Sequence, residues 1–320
     1  MSVLKDFFVE FGHAFSHLVL WAYLLGVLSF LGQSAARSRA WRNLLAATFP
    51  GQNVRWRDAY GATLVKHGAG TFLPMHGDEA VRVGLMKDRI KGASPTAVAA
   101  TAGIDTLFDV LLTALLVMVS AWLGASVIDW HEAAAHPTKP AIILGLGLLA
   151  IAAAVMGLRK KARGLGEELK QGLAIFRHHG MYSRLVLPWQ LADFVLQLAT
   201  LYLLLTAFGF VGATLTSVVL IRTAQRVTVS LPGFLETGSQ QAMILAILTA
   251  SGFTAGQAVG FGFGAKVTLS GLNILMALVA ARIMVGPLHL RERIAGKFRR
   301  GNEPSNGNLP PVSPDPLSGA

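Results

Sequence analysis

Eight ionisable residues fall inside or beside apolar stretches of this chain: Lys66, Asp105, Asp109, Asp193, Arg222, Arg226, Glu236 and Lys266. Each costs roughly 2.5–3.5 kcal/mol if placed at the centre of a bilayer, so such a set calls for a purpose. Asp105 and Asp109 are four residues apart, as are Arg222 and Arg226, so each pair shares one helix face. Two readings fit. In one, the arginines face a cavity and hold a lipid phosphate, which their forked donors match, and the carboxylates tune or release it by taking up a proton. In the other, the four form a buried ion-pair network that only holds helices together.

A second group follows a Leu-Pro step. Pro74, Gly77, Asp78, Glu79 and Arg82 lie together, and a second step brings Pro232, Gly233 and Glu236. Asp78 and Glu79 could contact a polar headgroup, act as the carboxylates of a membrane-embedded enzyme, or complement the dipole of a first helical turn. Other chemistry is excluded more firmly. The chain has no cysteine, and its histidines show no His-Glu-x-x-His spacing, so no metal site is expected. No nucleophile elbow or phosphate-binding Walker loop occurs, and the run GFGFG at 260–264 follows no strand, so neither a serine hydrolase nor an ATP-driven pump is expected. No cofactor is expected.

These residues need a scaffold, and composition says which kind. Apolar residues make up 53% of the 320-residue chain and charged residues 14%, against roughly 25% charged in a soluble domain. With a mean hydropathy of +0.52, the chain is an integral membrane protein. Five apolar stretches read as full spans: 18–31 with its flank Phe15, 96–124, 141–158, 185–208 and 254–285. The start, residues 1–17, holds Asp6 and Glu10 beside Lys5, which argues for a retained anchor over a cleaved signal.

Regions 59–90 and 213–251 are apolar but broken by glycines, charges and Leu73-Pro74 or Leu231-Pro232. Proline cannot continue a helix without a kink, and the glycines beyond it permit a turn. Each region reads as half-helix, turn, half-helix; a kinked pair of spans or a surface amphipathic helix fits the same pattern. A shift of 158 residues superposes the two Leu-Pro steps, and also Asp78 on Glu236 and Thr96 on Thr254. The expected fold is therefore all-α: a polytopic transmembrane helix bundle of two inverted repeats, each with a Leu-Pro-broken re-entrant hairpin facing a cavity.

The basic residues behind the net charge of +11 fall mainly in four clusters, Arg37–Arg57, Arg82–Lys91, Arg159–Arg184 and Arg291–Arg300, whereas 125–140 holds one basic residue, Lys139, with Asp129 and Glu132. The positive-inside rule puts the clusters and the C-terminus in the cytoplasm, touching anionic headgroups, with no need for nucleic acid. The expected organisation is one transmembrane domain over 1–286. It contains repeat one at about 15–124, a connector span at 141–158, a basic linker at 159–184 and repeat two at about 185–286. A basic, then disordered tail fills 287–320.

The stretch FLPMHGDEAVRVGLM (72–86) resembles the Leu-Pro, Gly, Glu-x-x-Arg signature of the lysylphosphatidylglycerol synthase transmembrane-region family, with Asp78 as an extra acid. RSRAWRNLL (37–45) resembles that family's Arg-Trp junction, and LPGFLETGSQQAMIL (231–245) its second signature. In the latter, Glu236 sits earlier than usual and Gln240-Gln241 replace a common charged pair. The resemblance covers about 15–286 and implies a flippase-like domain of a bacterial inner membrane that moves, or helps to move, polar-headed lipids. Well-known members carry a soluble synthase domain; with some 35 residues after the last span, none is expected here. Free-standing members of the family are associated with hopanoid and lipid-linked sugar pathways. The functional expectation is a lipid translocase or transport accessory, with membrane lipids and a soluble lipid-biosynthetic enzyme as partners. The alternative is a membrane enzyme or accessory subunit of lipid synthesis.

Overall fold

The computed structural model describes residues 18–72, 77–127, 179–210, 212–228 and 233–285. Among these the chain is all-helical: α1 (Leu20–Thr48), α2 (Trp56–Ala69), α3 (Gly77–Lys87), α4 (Pro95–Val127), α5 (His179–Leu185), α6 (Leu187–Ala207), α7 (Leu215–Thr228), α8 (Gly233–Ala250) and α9 (Ala255–Val285). Starts follow local chemistry. Ser94 caps α4 ahead of Pro95, accepting from the Ala97 amide at 3.1 Å. Thr254 and Gln257 form a reciprocal capping box at the start of α9. Gly209 and Gly252, at φ +82° and +89°, turn the chain after α6 and α8.

Among the described residues three helices are long and apolar enough to cross a membrane: Pro95–Leu123, Leu187–Ala207 and Ala255–Met284. Only 11% of the apolar window is buried in the first and last, so their outer faces present bare Leu, Met and Phe. The expected first span, 18–31, is corrected. It is the opening part of α1, which runs on unbroken to Thr48, and the whole helix would be about 43 Å long. No proline or glycine interrupts it after Gly32, and Ser34, Ala36 and Ala40 keep it slim enough to stay packed in the bundle. The expected connector, 141–158, lies outside the described residues, as do Leu73-Pro74 and Leu231-Pro232.

Two apolar cores sit at opposite ends of the bundle. One gathers Trp41, Leu44, Leu45, Ala59, Met86, Ile90, Val98, Val186 and Met284. The other gathers Ala22, Leu204, Leu205, Phe208, Val218, Ile221, Leu248 and Phe261. Chain direction follows. α1 and α9 run from the Leu205 end to the Trp41 end, while α4 and α6 start at the Trp41 end. α1 and α6 lie antiparallel along their lengths: the Val19 amide bonds to Ala207, Ser29 to Leu196 and Asn43 to Leu185.

The helical pairs α2–α3 and α7–α8 root in different cores, the first at the Trp41 end and the second at the Leu205 end. Each pair's first helix packs on the long helix of the other half. Gly61 and Gly68 of α2 lie against Met284 and Ala277 of α9. On the other side, Thr223 of α7 meets Ser120 of α4 at 2.7 Å. Arg39, Arg42, Arg55, Arg57, Lys87, Lys91 and Arg184 lie on the segments that enter or leave the Trp41 core, whereas 205–221 and 242–265 contain no basic residue.

Candidate functional site

Between the two cores runs a layer of charge. It begins at the inner ends of the first hairpin, where Lys66 of α2 pairs with Glu79 of α3. Glu79 also pairs with Arg82 at 3.1 Å, and Arg82 reaches Asp105 of α4 at 3.2 Å. Arg82 is 1% exposed and its guanidinium lies 3.7 Å from the ring centroid of Trp41. The ring's negative face takes the side of the cation that no carboxylate covers. Trp41 is fixed in turn by its indole N–H donating to Thr101 at 3.0 Å.

Arg37 of α1 is the hub. It pairs with Asp109 of α4, and lies 3.6 Å from Asp105 and 3.7 Å from Asp193 of α6. Three helices thus converge on one guanidinium, whose planar fork can serve several acceptors at once. Expected among the cytoplasmic basic residues, Arg37 is instead a member of the interior layer, because α1 continues where a loop was anticipated. Gln190 of α6 supports Asp105 with a donated bond of 3.4 Å and accepts from the Tyr182 hydroxyl at 2.7 Å.

The second hairpin enters from the other end. Arg226 of α7 pairs with Asp109 at 3.1 Å and donates to the Gln197 side chain of α6 at 2.8 Å. Arg222 donates to the same Gln197 oxygen and to Gln225 at 3.1 Å. Among the described residues, no carboxylate lies within salt-bridge distance of Arg222, and its Nε is buried without a partner. Among the described residues the layer holds five cations (Arg37, Lys66, Arg82, Arg222, Arg226) against four carboxylates (Glu79, Asp105, Asp109, Asp193), a formal excess of one positive charge, with Arg222 at its end.

Exposure divides these groups. Arg82, Asp105 and Asp193 are sealed, at 1%, 4% and 7%. Glu79, Lys66, Arg37 and Asp109 keep 17–26%. Charges part-exposed at such depth must face water or a polar ligand, since hydrocarbon would make them prohibitively costly.

The layer therefore brings together Glu79, Arg82, Asp105, Asp109, Arg222 and Arg226 from the residues singled out in the sequence. Gly77 opens α3, and Asp78 lies beside Gly70, the residue that caps the end of α2, outside the ion-pair chain. Gly233 opens α8; Pro74, Pro232 and the Glu236 side chain lie outside the described residues. Lys66 and Asp193, read from the sequence as ionisable groups at depth, join the layer, while Lys266 is exposed on α9. Arg37, Gln190 and Gln197 were not anticipated. Among the described residues no group of His, Asp and Glu is arranged to hold a metal ion.

The family model for the lysylphosphatidylglycerol synthase transmembrane region matches residues 7–268. The chain belongs to that family. No curated protein and no solved structure matches it. The lysylphosphatidylglycerol synthase transmembrane region is a membrane domain associated with lipid-related functions, and the match takes in both hairpins and every member of the charged layer from Arg37 to Arg226.

Proposed function

We propose that the chain is a flippase-like lipid translocase, or the lipid-handling part of one, with the charged layer as the path of a polar, phosphate-bearing headgroup. The observation that carries this is the continuous chain of ion pairs from Lys66 on the first hairpin to Arg226 on the second, ending at Arg222, which has no carboxylate partner among the described residues. An anionic headgroup is the natural partner for that surplus cation, and arginine suits a phosphate's two oxygens. Two helical pairs rooted at opposite ends and meeting at a polar layer support a reading on the inverted-repeat plan by which transporters expose one site to either side.

The basic residues at the Trp41 end support a cytoplasmic assignment for that end of a bacterial inner membrane, with the C-terminus on that side and α1 entering from outside. Anionic headgroups at that face, and a soluble enzyme of lipid synthesis docking there, fit the same charge. The enzyme alternative is disfavoured by Glu79: held between Lys66 and Arg82, it is poorly placed to accept a proton from a substrate.

The test is reconstitution of the full chain into liposomes with headgroup-labelled phosphatidylglycerol. Leaflet exchange faster than in protein-free liposomes, with the lipid chemically unchanged, supports the proposal. A modified lipid product without exchange overturns it in favour of an enzyme.

A further inference from the structure

An apolar groove of about 380 Å³ lies on the outer side of α4, walled by α5 and α6. Ile104, Leu111 and Leu115 line one wall, Leu187 and Leu191 the other, and among the described lining residues Tyr182 is the one with a polar side chain. We infer that this groove binds one acyl chain of a membrane lipid and keeps it beside the charged layer.

Four observations select that occupant. The rim is bare: Leu111, Leu115 and Leu191 are 61%, 50% and 47% exposed, on helices whose outer faces meet hydrocarbon in a bilayer. The groove follows α4 from Ile104 to Leu115, about 16 Å of helix, or half of a hydrocarbon core of roughly 30 Å. It thus has the length of one leaflet's chain. Its volume lies within the range that holds a small ligand, and its described lining residues carry no charge that would demand a polar one. Finally, it backs onto the layer. The Tyr182 hydroxyl donates to Gln190, whose amide donates to Asp105, the partner of both Arg37 and Arg82.

A tail held here stays in hydrocarbon while its headgroup lies within reach of the polar layer. The groove supplies the apolar half of an amphiphile's site, and the charges supply the polar half. The purpose given to the tail site rests on the translocase reading; its occupancy does not.

The experiment places the full chain in nanodiscs of phosphatidylcholine and phosphatidylglycerol containing a trace of phosphatidylglycerol with a photoactivatable group on one acyl chain. After irradiation, adducts are mapped by mass spectrometry. Labelling of 107–115 and 187–191 is expected to exceed that of the exposed α9 face, Leu275 to Ile283, by about fivefold or more, a preference of about 1 kcal/mol. Leu111→Trp and Leu191→Trp fill the groove from its exposed rim. Each should lower groove labelling to the α9 level while the protein stays monodisperse, and if one variant misfolds the other carries the comparison. Equal labelling of groove and α9 in the wild type would show ordinary annular lipid and overturn the inference. So would photo-adducts that fall only on residues 128–178, which would mean that this part of the chain covers the groove. Strong groove labelling in a protein that exchanges no lipid between leaflets would uphold the tail site and reject the translocase reading.

Discussion

Arg226 on α7 lies 3.1 Å from Asp109 on α4, although 117 residues separate them in sequence. This pair ties the second hairpin to the long helix of the first half. Asp109 also holds Arg37, so the contact is one link in a chain that spans the bundle. Breaking a link has consequences that depend on what each partner retains.

Arg37→Leu leaves Asp105 with Arg82 and Asp109 with Arg226, but strands Asp193, which has no other cation within salt-bridge distance among the described residues. Stability should fall by about 3 kcal/mol, the lower end for an orphaned buried charge because Arg37 keeps some exposure. Adding Asp193→Leu should recover about half of that loss, read as a double-mutant cycle from unfolding in detergent. No recovery would mean that Arg37 and Asp193 are not coupled.

Arg222→Gln strands no carboxylate among the described residues, where Arg222 bonds only to Gln197 and Gln225. Its stability cost should be about 1 kcal/mol. A larger loss, comparable with that of Arg37→Leu, would mark Arg222 as a structural group.

Gly68 of α2 lies so close to α9 that an added Cβ would collide with Ala277 and stand 3.0 Å from the Asn273 carbonyl oxygen. Gly68→Leu should cost about 1–3 kcal/mol through overpacking, with an added contribution from the forced separation of the two halves. Gly84→Ala, which meets open space on α3, should instead be neutral or stabilising by about 0.5–1 kcal/mol. Melting curves of the two purified variants check the contrast.

The chain has no cysteine, so single cysteines report topology cleanly. Arg55→Cys and Ser183→Cys sit at the Trp41 end, and Ser251→Cys at the Leu205 end. A membrane-impermeant maleimide should label the first two from the cytoplasmic side and the third from the other. Labelling of all three from one side would refute the opposed rooting of the hairpins in a bilayer.

The division of each broken region into two helices was legible because its signal is local: a Leu-Pro step with nearby glycines disfavours one continuous helix. The 158-residue shift also places the starts of α2, α3 and α4 within two residues of those of α7, α8 and α9. Asp105 with Asp109 and Arg222 with Arg226 were legible from four-residue spacing. Their partners were not, since Asp109–Arg226 is a tertiary contact. Arg37 was obscured by its surroundings: window averages read 32–48 as a polar flank, yet buried residues continue at helical spacing through Phe30, Ser34, Trp41, Leu44 and Thr48. That periodicity was the available sign that α1 does not stop at Leu31. The shift that aligns the helices does not align the charges, for Arg37 falls on Val195 and Asp109 on Val267. The polar layer is assembled once, from α1 to α4 together with α6 and α7.

The most direct test compares wild type and Arg222→Gln in liposomes containing headgroup-labelled phosphatidylglycerol, using protein shown to be folded and monodisperse in both cases. The wild type should speed leaflet exchange, and Arg222→Gln should lose about tenfold or more of that rate, equivalent to about 1.4 kcal/mol, with little change in stability. Exchange that is unchanged in Arg222→Gln would contradict the assignment of the charged layer as a headgroup path, and leave it as the ion-pair network that holds the helices together.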